Sequence, residues 1–291
     1  MSKKMKKGVC MLLLLAVPYM VKAWGFYAHK LIHEKAIFLL PKDMAGFYKN
    51  HRKIIIEKAV AADQRVFVNP DEPHRHYIDL DRYPPPDSIP RYWDAAVAKF
   101  TAPYLIQRGT VPWQIYKTFR NLIFAFKSKD VGLIIRYSAD LGHYTADAHV
   151  PLHSCSNYNG QFTGQLGIHA LWESNIPEMF AKDYNFAIGK AEYLPYPQRK
   201  AWAIVQESHQ LVATTLSTEK SLGAANKKLT IKAFTERKNQ LIFTYSDSYI
   251  QQYHKALHGM VEQRMRASIH AVASFWYTAW IEAGQPDISA L

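Results

Sequence analysis

The stretch from His143 to Glu173 constrains the fold of this chain more than any other. It contains two pairs of a histidine and an acidic residue four positions apart, His143 with Asp147 and His169 with Glu173. Residues four apart lie on the same face of an α-helix, so each pair can direct one imidazole and one carboxylate to a common point. Zinc binds these ligands, and three or four of them form a site. The stretch therefore predicts helical segments that converge on metal, with His153 as a further ligand.

The alternative interpretation of this stretch is a polar helix face whose histidines are satisfied by hydrogen bonds. A single histidine–acid pair would favour that alternative. Two pairs and His153 within thirty-one residues favour metal binding instead.

Hydrophobic periodicity predicts helices in most of the remaining chain, and no series of alternating strands is evident. The predicted helices cover residues 29–41, 45–62, 91–108, 113–127, 130–148, 198–220 and 228–283, the last of these open to one break. Hydrophobic residues make up 48% of the chain and charged residues 21%, which is ordinary for a globular protein. We predict an all-α fold, a single multi-helix domain that spans residues 24–291.

The first 23 residues have the features of a signal peptide. Four lysines lie within Met1–Lys7, an apolar run of eleven residues covers Met11–Val21, and Val21-Lys22-Ala23 fits the small-x-small pattern of a cleavage site. An uncleaved anchor is the alternative, but the run is too short to span a bilayer. We predict cleavage after Ala23, export to the periplasm or beyond the cell, and no transmembrane segment in the mature chain.

Cleavage would change both the charge and the cysteine content. The leader carries five lysines and no acidic residue, so the formal charge of +12 becomes +7 (12 − 5). A basic surface favours anions such as phosphate esters, nucleic acid or acidic lipid. Cys155 would be the one remaining cysteine, which excludes an intramolecular disulfide. Metal ions are then the cross-links expected to stabilise the fold.

Other candidate ligands precede the central stretch. Cleavage would leave Trp24 with a free α-amino group, whose pKa of roughly 7.7–8.0 allows it to bind metal, and His29 follows closely. Asp63 follows the predicted helix 45–62, and His76 lies in a polar loop of the kind that often carries functional residues.

Together these residues resemble the zinc-dependent phospholipase C and single-strand-specific zinc nuclease superfamily, whose members are all-α and hold three zinc ions. The resemblance covers residues 24–180 in pattern, while the C-terminal third matches only as further helix. It implies nine zinc ligands: Trp24, His29, Asp63, His76, His143, Asp147, His153, His169 and Glu173.

The resemblance also implies how three Zn²⁺ ions would share these ligands. One zinc would take Asp63, His76, His143 and Asp147; the second would take His153, His169 and Glu173; the third would take Trp24, through its amino nitrogen and backbone oxygen, with His29 and the bridging Asp147.

Such a cluster suits hydrolysis of phosphodiesters by a metal-bound hydroxide. We expect Asp63 to have a second, catalytic role in orienting or deprotonating the water. Arg65 is the other candidate catalytic residue, holding Asp63 or a phosphate, and an ordinary surface arginine is an equal alternative. His149 lies between ligand positions and is expected to orient a carboxylate from behind the ligands.

The substrate is assigned by weaker features. The five-residue spacing between Trp24 and His29 and the motif His149-Val150-Pro151-Leu152-His153 resemble the nuclease branch. Tyr77 and Tyr144 are candidate rings for stacking a base. Tyr158 and Phe162 lie in a loop expected to border the site.

Glu173 stands where the nuclease branch usually has aspartate, and in this it resembles the phospholipase C branch. The lack of disulfides departs from the familiar eukaryotic nucleases. We predict a nuclease-like phosphodiesterase acting on single-stranded nucleic acid or nucleotides, with a phospholipase C acting on phospholipid as the alternative. A non-catalytic zinc-binding protein is a third hypothesis.

Overall fold

The computed structural model describes residues 25–85, 88–226, 228–237 and 240–291. The predicted signal peptide and Trp24 lie outside the described residues. Within these ranges the chain is mainly helical, with one small antiparallel sheet, and the all-α class is confirmed. Among the described helices, none combines the length and the apolar character that crossing a bilayer would require.

The elements follow one another closely along the chain. The α-helices are α1 Phe26–Ile37, α2 Lys42–Asn50, α3 Arg52–Lys58, α4 Ala61–Arg65, α5 Trp93–Phe100, α6 Ala102–Gln107, α7 Val111–Ser128, α8 Val131–Ala148, α9 Ile168–Ala170, α10 Ile176–Phe180, α11 Pro197–Gln210, α12 Val212–Ala225, α13 Lys228–Ile231, α14 Asp247–Ala256 and α15 Met260–Glu282. The strands are β1 Lys232–Arg237 and β2 Gln240–Tyr245. Short 3-10 helices cover Pro73–Arg75, Leu80–Arg82, Pro151–Ser154 and Ala181–Asp183, and a π-helical turn, Leu171–Asn175, joins α9 to α10.

Helix α8 is the central element of the core. It packs against α1, α3, α7, α11 and α15, and its second half is buried from Ser138 to Ala148. The side chain of Asp130 caps its N-terminus by accepting a hydrogen bond from the backbone N–H of Leu133 at 2.9 Å. A helix surrounded in this way holds its last two turns in a fixed position, and these turns carry His143 and Asp147.

Two aromatic side chains fasten α8 to its neighbours. Tyr48 of α2 and Trp276 of α15 are fully buried and stack with ring centroids 5.0 Å apart. Both also reach Ser138 of α8, the Tyr48 hydroxyl at 2.8 Å from the serine hydroxyl and the Trp276 N–H at 2.9 Å from the backbone carbonyl. Burial of one such ring contributes about 1.5–3 kcal/mol, and the hydrogen bonds fix its orientation.

Three of the predicted helices are divided in the structure. The predicted helix 198–220 is divided at Leu211, between α11 and α12. The predicted helix 45–62 is instead the end of α2, then α3 and the start of α4, with turns at His51 and at residues 59–60. The predicted helix 91–108 is interrupted at Thr101, whose φ of +68° is incompatible with a continuous helix.

The prediction of helix across 228–283 was wrong for residues 232–237 and 240–245. These form the β1–β2 hairpin, in which Phe234 lies opposite Phe243 and Lys232 opposite Tyr245. The aromatic and β-branched residues of this segment favour strands.

Gly142 of α8 allows a close approach of α1. A Cβ atom at this position would lie 2.3 Å from Nε2 of His33, whose two ring nitrogens face the backbone carbonyls of His29 at 2.7 Å and Ala139 at 3.0 Å. Because the ring is fully buried between these two carbonyls, it cannot move aside without separating α1 from α8.

Substitution of Gly142 by alanine is therefore expected to destabilise the protein, although alanine is the better helix former. Overpacking of this kind costs about 1–3 kcal/mol. Urea unfolding of the variant measures the loss, and Gly46→Ala in α2, where a Cβ would meet no atom within 4 Å, is the matched control. A Gly142→Ala protein as stable as the parent would show that the two helices can separate at little cost.

Candidate metal centre

Asp147 lies at the centre of the site. Its Oδ2 is 2.9 Å from Nδ1 of His76 and 3.3 Å from Nε2 of His143, and its Oδ1 is 3.2 Å from Nε2 of His29. The last contact lacks the alignment of a hydrogen bond. The two carboxylate oxygens thus face different imidazoles, which is the arrangement expected of a carboxylate that bridges two cations.

Asp63 joins the same group from helix α4. Its Oδ1 lies 3.6 Å from Nε2 of His143 and 3.8 Å from Nδ1 of His76. The potential ligand atoms of His29, Asp63 and His143 all lie within 4.8 Å of one another, as do those of His76, His143 and Asp147. These five residues are called the Asp147 group below.

A second set of three ligands lies beside it. His153 is in the 3-10 helix Pro151–Ser154, whereas His169 and Glu173 lie in α9 and the π-helical turn. Oε2 of Glu173 is 3.3 Å from Nε2 of His153 and 3.0 Å from Nε2 of His169. Single π-helical turns are rare and occur frequently at functional sites. These three residues are called the Glu173 group.

The hydrogen bonds of the two histidines in the Glu173 group show that it suits a cation. Nδ1 of His153 faces the carbonyl of His76 at 2.7 Å, and Nδ1 of His169 faces the carbonyl of Tyr158 at 3.1 Å. Each Nδ1 must then carry a hydrogen, so Nε2 is the atom that each ring can offer to a cation as a lone pair. The two Nε2 atoms lie only 3.0 Å apart and share the carboxylate of Glu173. A positive ion at this point would remove the repulsion between them.

His143 has the same orientation in the Asp147 group. Its Nδ1 faces the carbonyl of Ala59 at 2.8 Å, so its Nε2 is the atom that faces the two aspartates and can offer a lone pair to a cation. Metal-bound histidines commonly donate their second N–H to a backbone carbonyl or a carboxylate in this way. Both groups therefore fit a metal ion by the chemistry of their donor atoms.

Burial makes these charges costly in the absence of a cation. All eight side chains of the two groups are at most 7% exposed. Burial lowers the pKa of His29 to about 3 and that of His169 to about 4, and it raises the pKa of Glu173 to about 8. Each shift favours the neutral form of its group, whereas a bound cation would favour the ionised carboxylate and the neutral imidazole.

Glu72 supports the site from behind, and it was not among the residues predicted from the sequence. It is fully buried, and its Oε1 lies 3.7 Å from Nε2 of His76, on the side of the ring away from Asp147. Burial would raise the pKa of Glu72, but His76, Arg65 and Tyr144 outweigh it and lower the pKa far below its usual range. The available signal was spacing, because Glu72 and His76 are four residues apart.

Arg65 and Tyr144 belong to the surroundings of Glu72. Arg65 donates to Glu72 from Nε at 3.3 Å and from Nη2 at 3.2 Å, and it also donates to Asp140 at 3.0 Å. The Tyr144 hydroxyl donates to Glu72, and its ring, 1% exposed, packs edge-on against His76 with centroids 5.5 Å apart. Tyr144 thus presents no ring surface to solvent for stacking.

The remaining predicted residues surround the site at different depths. His149 is buried, and its Nδ1 faces the carbonyl of Thr145 of its own helix at 2.7 Å. Tyr158 is 42% exposed and meets His169 edge-on at 5.9 Å, whereas Phe162 is 65% exposed and lies further along the same loop. Tyr77 is partly buried, directly after His76.

Trp24 lies outside the described residues, so its predicted role as a ligand stays a prediction. The next residue, Gly25, donates its backbone N–H to the carbonyl of Glu173 at 3.2 Å. A Cβ at Gly25 would lie 2.6 Å from the hydroxyl of Ser174, which leaves no room for a side chain there. The start of the described chain is therefore packed against the Glu173 group.

The chain matches no protein-family model, and its comparison with curated proteins gives no match. The two buried ligand groups, which could bind metal ions, are the features of the described residues that bear most directly on function.

Proposed function

We propose that this protein is a zinc-dependent phosphodiesterase, related to the zinc-dependent phospholipase C and single-strand-specific zinc nuclease superfamily. The observation that carries the proposal is the position of Asp147, whose two oxygens face different imidazoles beside a second three-ligand group. Five imidazoles and three carboxylates form a ligand set that suits zinc better than the oxygen-preferring ions Mg²⁺ and Ca²⁺.

Zinc, when bound, supplies an activated water and a Lewis acid for the phosphoryl oxygen. The chain itself holds the ligands in place and controls access to them. Asp63, His76 and His153 retain 6–7% exposure, whereas His29, His143, Asp147 and Glu173 have none. Substrate and water would therefore enter on the side of Asp63, and its carboxylate is the one available to orient the water or accept its proton.

We propose single-stranded nucleic acid or nucleotides as the substrate class. The basic mature chain and the nuclease-like spacing of the ligand motifs support this choice. Tyr158 offers an exposed ring next to ligand His169, and Tyr77 offers a partly exposed one next to His76. Rings in such positions can stack on a base.

A phospholipase C is the second candidate, and exposed apolar side chains support it. The loop that ends just before His169 carries exposed Leu166, whose carbonyl accepts a hydrogen bond from Lys232 of β1 at 3.3 Å. On the same face of the hairpin as Lys232, Phe234 and Phe243 are 69% and 61% exposed. Contiguous exposed apolar groups of this kind are typical of surfaces that meet lipid or another protein.

Hydrolysis by protein that begins at Trp24 without a tag tests the proposal. Single-stranded DNA, RNA and a phosphatidylcholine emulsion would be compared with and without chelator, and metal content would be measured on the same sample. We expect chelator-sensitive cleavage of nucleic acid, and lipid cleavage alone would select the phospholipase C. His153→Ala should abolish turnover, while His270→Ala, at a histidine whose Nε2 lies 3.1 Å from the Lys190 carbonyl, should preserve it.

Two further parts of the proposal have tests of their own. Bound zinc without turnover on any substrate would favour the non-catalytic zinc-binding protein, although sites with three protein ligands leave a position open, as catalytic sites do. Export, proposed from residues 1–23, predicts that the N-terminal residue of the purified native protein is Trp24.

A further inference from the structure

A cavity of about 180 Å³ is lined in part by Arg65, Arg75 and Tyr144, the side chains that donate hydrogen bonds to Glu72. Basic side chains from four different elements line it, namely Arg65 of α4, Arg75 of the 3-10 helix Pro73–Arg75, Lys117 of α7 and Arg136 of α8. Because they come from separate elements, these cations are brought together by the tertiary fold rather than by one solvated helix face. This cavity is called the basic pocket.

The carboxylates beside the basic pocket do not balance its cations. Glu72 binds Arg65 at 3.2 Å and Arg75 at 2.8 Å, and Asp140 binds Arg65 at 3.0 Å. Arg136 approaches Asp140 only to 4.0 Å, and Lys117 has no hydrogen-bond or ion-pair partner within the described ranges. Four cations face two carboxylates, which leaves a local charge of +2.

A phosphate group matches this pocket in charge and in chemistry. Inorganic phosphate carries between one and two negative charges near neutral pH, and guanidinium groups bind its oxygens with directed, charge-assisted hydrogen bonds. Arg75 uses Nη1 for Glu72, which leaves its other N–H groups to donate. The side-chain amides of Gln114 and Asn121 also line the cavity. A phosphate group of five heavy atoms fits within its volume.

The basic pocket is one layer of side chains away from the metal centre. Tyr144 lines the pocket and packs edge-on against His76, and Glu72 lies between the arginines and Nε2 of His76. The pocket therefore adjoins the Asp63 and His76 side of the centre, where the site is most exposed. We infer that the basic pocket binds a phosphate-class anion, as free phosphate or as a further phosphate of an extended substrate. Binding of a substrate phosphate in this pocket rests on the proposed function, whereas binding of free phosphate does not.

Titration of inorganic phosphate into the metal-loaded protein tests the inference. Calorimetry at about 0.15 M salt limits the effect of distant charges, because the Debye length is then ~8 Å. In Lys117→Gln/Arg136→Gln, one class of phosphate sites is expected to weaken by about tenfold or more, since charge-assisted hydrogen bonds are removed. Both positions are exposed and lie outside the metal ligands and the Glu72 contacts, so folding should be preserved.

Lys49→Gln/Lys53→Gln is the matched control, with the same change of charge at two exposed lysines of α2 and α3 outside the pocket. Its phosphate affinity should equal that of the parent. Equal weakening in both double variants, or none in either, would overturn the inference.

Kinetics separate the two sources of phosphate. If the pocket holds a further phosphate of the substrate, Lys117→Gln/Arg136→Gln raises KM for a single-stranded oligonucleotide but not for a chromogenic single phosphodiester. If it holds free phosphate, both KM values stay at the parent level while phosphate binding weakens. Should the protein hydrolyse neither substrate, the proposed function fails, and the phosphate titration still decides whether the pocket binds its anion.

Discussion

Asp147→Asn is expected to remove more than one metal ion per chain and to abolish hydrolysis. The substitution replaces one charged oxygen of the carboxylate that faces His29 on one side and His76 and His143 on the other. An amide nitrogen has no free lone pair to offer a cation, so at least one of the two metal positions beside Asp147 loses a ligand. Both metal positions lose the negative charge of the carboxylate. Mutation of a residue that only hydrogen-bonds to a metal ligand typically lowers metal affinity or activity by about 10–100-fold. For a ligand itself we therefore expect activity to fall by more than about 100-fold.

Metal analysis and turnover of the purified variant check this result. Asp130→Asn is the matched control, because it makes the same chemical change on the same helix and asparagine is an equally good N-cap. It should retain the metal content and activity of the parent. Unchanged metal content in Asp147→Asn would refute a bridging role for this carboxylate.

Part of the site could be predicted from the sequence because helical spacing is a local property. His143 and Asp147, and His169 and Glu173, are each four residues apart, and their side chains meet at 3.3 Å and 3.0 Å. The contact between α4 and α8 is different in kind. Asp63 approaches His143 at 3.6 Å through tertiary packing, and only the resemblance to a known superfamily linked these two residues.

Glu72 shows how local context can hide a detectable signal. It has the same four-residue spacing from His76 as the predicted pairs, but Pro70 and Pro73 surround it and indicated a loop. The 3-10 helix Pro73–Arg75 nevertheless brings both side chains to the same side. Likewise, the partners that surround the Arg65 guanidinium come from positions 72 and 140, which sequence spacing could not connect.

The β1–β2 hairpin was missed for a different physical reason. A half-buried strand is recognised by apolar residues that alternate towards a core. In this hairpin Phe234, Leu241 and Phe243 share a face that is largely exposed, while Tyr245 alone of that face in β2 is buried at the base. With little core to face, the apolar residues gave no clear alternation, and the long helices on either side made continuous helix the simpler prediction.

Removal of metal is expected to lower the melting temperature by roughly 8–16 °C. In the metal-free chain, Nε2 of His153 and Nε2 of His169 lie 3.0 Å apart without a shared cation, and burial raises the pKa of Glu173 to about 8. A ligand present at 1,000 times its dissociation constant stabilises the native state by about 4 kcal/mol. For domains of about 150–250 residues, 1 kcal/mol corresponds to roughly 2–4 °C.

Thermal unfolding before and after chelation, with metal content measured on each sample, tests this expectation, and added zinc should restore the original melting temperature. Glu173→Gln separates the two groups, because it weakens the Glu173 group and leaves the Asp147 group intact. This variant should start at a lower melting temperature than the parent and lose less of it on chelation. A parent protein that is stripped of metal and melts at an unchanged temperature would show that the eight ligands are held by packing alone. The expected result is a lower melting temperature, because five imidazoles and three carboxylates converge where water can solvate them only slightly.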